Sequence, residues 1–262
     1  MRFAHTHTDF TRPADALNVR CDNYRCAAMP SVHTRTAEQM ETGLRELIAT
    51  VQDQHLAGLL ERMLGRHAAT WRRFRDAPAA KRYHHAYRHG LLEHTLLVAQ
   101  SVSALAAIFP GVDRDIALTG ALLHDVGKLD TYRQTGDGIE MTDDGRLHGE
   151  IPLGYARIRD EISTDADFPP RLAQALLHVI LSHHGSLAHG SPVVPCTREA
   201  TLVHMADNLG SKLGSFDRVQ RELQAGQHWA GYDNGIGAVA YFGCPGPGPG
   251  ARDPAARTQL AA

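Results

Sequence analysis

Apolar residues recur every three or four positions through the middle of this chain, the period of an α-helix with one buried face. Thr36-Ala37-Glu38-Gln39 has the spacing of a capping box, and Met40, Leu44, Leu47 and Val51 continue from it at helical intervals. A second helical stretch is predicted from about Leu56 to Phe74, ahead of Pro78. A third runs from Leu91 to Phe109, with Leu91, His94, Val98, Val102 and Leu105 on one stripe. Arg114 to Asp125 is apolar almost all round through ALTGALL, which predicts a central, buried helix stopped by Gly127. The stretch 131–153 is polar and Gly-punctuated and reads as a loop or short hairpin. Another helix is predicted from about Pro170, its stripe of Leu172, Leu176 and Val179 leading to His183. After the loop SLAHGSPVVPC a last helix opens at Thr197, with Ala200, Val203 and Asp207 sharing a face.

The expected fold class is therefore all-α, and an Ala- and Leu-rich composition agrees with it. Residues 1–35 read as a loose segment and 36–77 as a helical extension. The Pro/Gly tail beyond Cys244 is expected to be disordered, because it has too little apolar area to offset its ordering entropy. A net charge of −2 announces no polyanion partner. Cys21, Cys26, Cys196 and Cys244 are scattered without a CxxC pair, which argues against both a disulfide framework and a cysteine zinc site. The N-terminus lacks the apolar run of a signal peptide, and no stretch is long enough to span a membrane, so the expected location is cytoplasmic.

Histidine changes the picture: there are 17, and their positions matter more than their number. Four predicted helices each offer metal-competent side chains where their apolar stripe would otherwise continue: His94, His124 with Asp125, His183 with His184, and Asp207. An isolated imidazole or carboxylate is costly to bury unless it is paired or binds a metal. The pattern thus points to one shared polar centre. Nitrogen and oxygen donors without thiolates suit one or two divalent ions from among Mn, Fe, Co, Ni, Zn and Mg.

His94, His124-Asp125 and Asp207, in that order, resemble the H…HD…D pattern of the HD superfamily of all-helical, metal-dependent phosphohydrolases. The stretches HHAYRHGLLEHT (84–95), TGALLHDVGK (119–128), TDDGRLHGEIPLG (142–154), LHVILSHHG (177–185) and GSPVVPCTREATLVHMADNL (190–209) are similar to the bacterial 3′→5′ exoribonucleases built on an HD domain. The resemblance implies an HD domain over roughly 78–225, followed by a C-terminal segment over 226–262. It also implies a metal-dependent phosphodiesterase in which Asp125 anchors one cation or bridges two. His94, His124 and Asp207 would hold the first, and His183, His184 and Glu150 the second. Glu150 stands where the family has a histidine, with His148 displaced beside it, and His89 stands where the family has a glycine. The family also carries an OB-type domain before the HD domain, whereas only about 35 residues precede the first predicted helix here, too few for a five-stranded barrel.

Asp125 and Lys128 are the candidate catalytic residues. Lys128 has the spacing to reach a phosphate at the metals, although a lysine near a helix C-terminus is also favoured there for its charge alone. His84 and His85 either line the substrate pocket or pack at a helix start. Arg72 and Arg73 belong to a basic stretch, Arg62 to Arg88, that includes Trp71, Phe74 and Tyr83. It reads either as a solvated helix face or as a surface that holds a single strand. Three functions are compatible with these readings. The first is a 3′→5′ exonuclease on short single-stranded RNA or DNA; the second is a hydrolase of small or cyclic nucleotides; the third is a non-catalytic binding protein that keeps a structural metal.

Overall fold

The computed structural model describes residues 35–81, 85–136, 138–224 and 226–243. The segment expected to be loose before Arg35, the tail expected to be disordered, and Tyr83, His84, Cys21, Cys26 and Cys244 lie outside these residues. Helix α1 (Ala37–Ile48) starts on the predicted capping box: Gln39 N donates to Thr36 Oγ1, and Thr36 N donates back to Gln39 Oε1 at 2.8 Å. The single helix predicted over 56–74 is instead two, α2 (Gln54–Leu64) and α3 (Trp71–Asp76). Asp53 caps α2, and the chain leaves it at Gly65 with ψ 155°, so both helices can turn their apolar residues inward.

α4 (Gly90–Ala106) and α5 (Arg114–Leu123) follow the predicted pattern closely, and every residue of α5 from Ala117 to Leu123 is buried. A one-turn helix α6 (Lys128–Thr131) leads into an antiparallel hairpin, β1 (Tyr132–Thr135) with β2 (Gly138–Met141), in the register Tyr132↔Met141. The second half of the stretch read as loop or hairpin is helical, as α7 (Asp143–Leu147) and α8 (Glu150–Ile162). Pro152 is the third residue of α8, where a backbone N–H has no intrahelical partner and its absence costs little.

α9 (Pro170–Ser182) and α10 (Arg198–Glu222) complete the helical set, the latter capped by Thr197. A second hairpin, β3 (Trp229–Asp233) with β4 (Ala238–Tyr241), packs on the far end of α10 through Val219, Ile236 and Ala240. Among the described residues the fold is all-α apart from these two hairpins. α5 packs against α2, α4, α9 and α10, and one hydrophobic core runs from Met40 in α1 to Ala206 in α10.

α5 and α9 approach each other closely at Gly120, where an added Cβ would stand 2.6 Å from Val179 Cγ1. Gly120→Ala is expected to lower stability by about 1–3 kcal/mol through overpacking, read as a lower urea midpoint at unchanged slope.

Candidate metal centre

Two of the central helices end in the same way. His124 closes α5 and His183 closes α9, each with helical dihedrals. Each ring bends back so that Nδ1 lies against the carbonyl three residues earlier, Ala121 O at 2.8 Å and Ile180 O at 2.7 Å. A ring nitrogen facing a carbonyl must donate, so Nδ1 carries the proton and Nε2 presents a lone pair. His184 is set the same way by His189 O at 2.8 Å. Two of these imidazoles are thereby aimed by backbone carbonyls that a helix end leaves free, and the third by a carbonyl of the connection between α9 and α10.

α4 and α10 bring the remaining groups. His94 Nε2 lies 3.1 Å from His124 Nε2 and 3.2 Å from both Asp125 Oδ2 and Asp207 Oδ1. A single N–H cannot serve three acceptors; a cation among the four atoms can. On the other side of Asp125, its Oδ1 and His183 Nε2 are buried 3.7 Å apart, and neither has a hydrogen-bond partner. Two lone-pair atoms left facing each other in the interior are costly unless something positive sits between them. Ligand-capable atoms form two groups, one of His94, His124 and Asp125, the other of Asp125, Glu150, His183 and His184. Asp125 belongs to both. The residues present therefore fit divalent cations, and the absence of thiolates agrees with the nitrogen- and oxygen-binding ions expected from the sequence.

The electrostatics follow from burial and proximity. Burial alone would push the proton off His94, but hydrogen bonds and charge from Asp125 and Asp207 outweigh it and raise its pKa to about 9. His183 faces more positive surroundings, and burial with His184 and His124 lowers it to about 3. Burial also works against ionised Asp125 and Asp207, yet their basic neighbours hold both well below the usual carboxylate range. Glu150 differs, since burial raises it in spite of Lys128. Lys128 Nζ donates to Asp125 Oδ2 at 2.6 Å and lies 3.9 Å from Glu150 Oε1, and these carboxylates keep it charged against the cost of burial.

Residues 91–211 match the family model for the HD domain. This stretch of the chain carries an HD domain. It is 30% identical over 196 residues to a 3′-5′ exoribonuclease YhaM of Bacillus velezensis, covering 73% of this chain and 59% of that protein. Its identity to the 3′-5′ exoribonuclease YhaM of Bacillus subtilis is 29% over 194 residues, again 73% of this chain and 59% of the relative. The chain thus spans less than two thirds of the length of the curated relatives it matches. No solved structure gives a significant match. Among the described residues no helix is long and apolar enough to cross a membrane.

Within the HD domain, His94, His124, Asp125, His183, His184, Asp207 and Glu150 converge as expected from the sequence. Glu150 is not a loop carboxylate: it is the first residue of α8, and its Oε1 is 3.4 Å from His184 Nε2. His148 points away, exposed and paired with Asp144. Lys128 does not close α5 but begins α6, and it lines a cleft of about 410 Å³ together with Glu150, His184 and Asp207. His85 lies beside the centre, its ring 5.7 Å from that of His94 and its Nδ1 on the Tyr87 hydroxyl, which donates to Glu93. His89 adopts φ +70°, which accounts for a glycine at this place in the family.

Of the two readings of the basic stretch, the packing favours the one without a strand-holding role. Trp71 and Phe74 are core residues and offer no face for stacking. Arg73 donates to Leu129 O and Asp130, Arg75 pairs with Glu38, and Arg62 pairs with Glu161. These pairs tie α2 and α3 to neighbouring elements, while Arg66, Arg72, Lys81 and Arg88 are exposed. Sequence reasoning missed His204, which lines the cleft and bonds His183 O at 2.8 Å. Its ring fills the space beside Gly185, whose φ of +80° suits a glycine. The i, i+3 spacing of His204 and Asp207 on one helix was the available signal.

Two measurements follow from this geometry. Glu150→Gln is expected to lower metal content from about two ions per chain toward one, read by elemental analysis, because a neutral amide is a poor ligand for a hard cation. Equal content in parent and variant would leave Glu150 without a ligand role. In chelator-treated protein, the His94 proton stabilises the fold fully below the unfolded pKa of 6.5 and is lost as pH rises to about 9. Thermal melts in chelator should therefore fall between these pH values, whereas His94→Asn should remove that slope.

Proposed function

We propose that this protein is a metal-dependent phosphodiesterase that removes nucleotides from the 3′ end of short single-stranded RNA or DNA. The observation that carries the reading is the sharing of Asp125 between two donor groups, the second of which reaches the wall of one cleft through Glu150 and His184. The exoribonuclease names of the relatives support it. In this reading His94, His124, Asp125 and Asp207 hold one cation, and Asp125, Glu150, His183 and His184 hold a second. When bound, the cations would activate a water and withdraw charge from the phosphoryl oxygens.

The rest of the work falls to this chain's own side chains. The backbone carbonyls at the ends of α5 and α9 fix the imidazoles in the tautomer that offers Nε2, so no reorientation is needed on binding. Lys128 keeps its proton and lines the cleft, where it offsets charge that develops on the phosphate. His204 holds the carbonyl of His183 and so positions the turn that carries His183 and His184. A cleft of about 410 Å³ is of the size that takes one nucleotide and not a duplex.

The test is incubation of 5′-labelled single strands, RNA and DNA, with purified protein and Mn²⁺. A ladder shortening from the 3′ end is expected, with little action on duplexes. Asp125→Ala should abolish it and lower metal content together. Lys128→Ala should keep its metal and lose about 10²–10³ in turnover, the size expected for one charge-stabilising group. Turnover of mononucleotides or cyclic nucleotides alone would replace this reading with the small-nucleotide one. No turnover of any phosphodiester would leave a metal-holding binding protein.

A further inference from the structure

We propose that the outer face of the β3–β4 hairpin is a stacking platform for the bases of a single strand whose 3′ end lies in the metal cleft. The proposal rests on the exonuclease reading above. It starts from an anomaly of burial. Trp229 is 60% exposed, Tyr232 69%, Tyr241 52% and Val239 52%, all on one two-stranded element. Side chains of this size are ordinarily buried for most of their area, and a contiguous exposed group of them marks a contact surface.

The hairpin register makes the group continuous. Trp229 is the cross-strand partner of Tyr241, and Tyr232 of Val239. The Trp229 and Tyr241 rings already touch, with centroids 4.7 Å apart. The opposite face is occupied: Ala230, Ala240 and Phe242 pack with Val219, Ile236 and Phe216 against α10. Polar anchors hold it there, with Arg218 donating to Asp233 at 2.6 Å and Lys212 to Ile236 O at 3.3 Å. The aromatic face is therefore presented outward by a fixed support.

What fits this face is decided by where the hairpin leads. Asn234 and Gly235, in its turn, line the same cleft as Lys128, Glu150 and Asp207. Gly235 is pressed so closely on α10 that an added Cβ would meet Ser215 Oγ. The hairpin thus runs from the cleft, at its turn, to the aromatic pair at its open end. At about 3.3 Å per residue, Trp229 lies on the order of 15 Å along the strand from the turn, beyond a nucleotide seated at the metals. Bases of the next few nucleotides are what could meet it, and each base has a π-face whatever its identity. Trp71 and Phe74 of the basic stretch lie in the core and offer bases no face.

The chain has two tryptophans, and Trp71 is buried, so emission at the surface reports Trp229. The first experiment titrates the full protein, in chelator to prevent cleavage, with an unlabelled single strand of about twelve nucleotides. Quenching of the exposed tryptophan is expected. The second compares Trp229→Ala/Tyr241→Ala with Trp229→Phe and Tyr241→Phe, with Mn²⁺ present, on that strand and on a dinucleotide. The double Ala variant should raise KM for the long strand by about tenfold or more, with a much smaller change in kcat. The ratio of kcat/KM between long strand and dinucleotide should fall correspondingly, and the Phe variants should restore most of it. If the parent shortens the long strand but the double variant does so with unchanged KM and no quenching is seen, the platform is overturned and the exonuclease reading stands. If the parent cleaves no oligonucleotide while hydrolysing small phosphodiesters, the exonuclease reading fails and the platform with it. A double variant that changes only oligomeric state would assign the face to contact between copies of this chain and overturn the proposal.

Discussion

The carboxylate of Asp125 is the point on which this structure depends. It is buried where α4, α5, α9 and α10 meet, and three imidazoles and one ammonium group stand around it. A charge taken that far from water is unfavourable by several kcal/mol unless its surroundings answer it, roughly the scale of a domain's whole net stability. α4, α5 and α9 each supply an imidazole that faces Asp125, Lys128 supplies the ammonium group, and Asp207 of α10 answers His94, so no single helix could supply the set. The apolar stripes around the centre fill the space between these helices and fix their spacing. The polar groups fix which face of each helix turns inward.

Much of this centre is legible in the linear chain because each ligand candidate interrupts an apolar stripe at the position where a buried residue belongs. His94 between Leu91 and Val98 is the clearest case, and Asp207 beyond Ala200 and Val203 is another. The place of Glu150 was harder to read, since Gly149, Pro152 and Gly154 resemble loop residues. Only the tolerance of a helix's first turn for proline makes α8 possible there. The β3–β4 hairpin was missed because Ala230, Gly231, Ala238 and Ala240 give little contrast between faces, although Asn234-Gly235 is a turn signal.

The basic stretch shows a different limit. Arg62, Arg73 and Arg75 read as an uncompensated run because their partners, Glu161, Asp130 and Glu38, are dozens of residues away. Local charge counting sees one side of each pair. Similarly, Trp71 and Phe74 have the composition of a stacking surface but the spacing of a buried face, and the spacing decides. The aromatics that do reach the surface, Trp229, Tyr232 and Tyr241, lie outside the region where the motifs cluster.

Placing His124 and His183 at the last positions of α5 and α9 couples their aim to helix length. One residue added or removed within either helix would turn its terminal ring, together with the carbonyl that orients it, by about 100° about the helix axis and away from Asp125. Length variation should therefore be forbidden inside these two helices. It should be tolerated in connections such as the β1–β2 hairpin, whose strands are largely solvent-facing. Across homologous sequences, insertions and deletions would then outline the reaction centre by where they fail to occur, independently of which residues are identical.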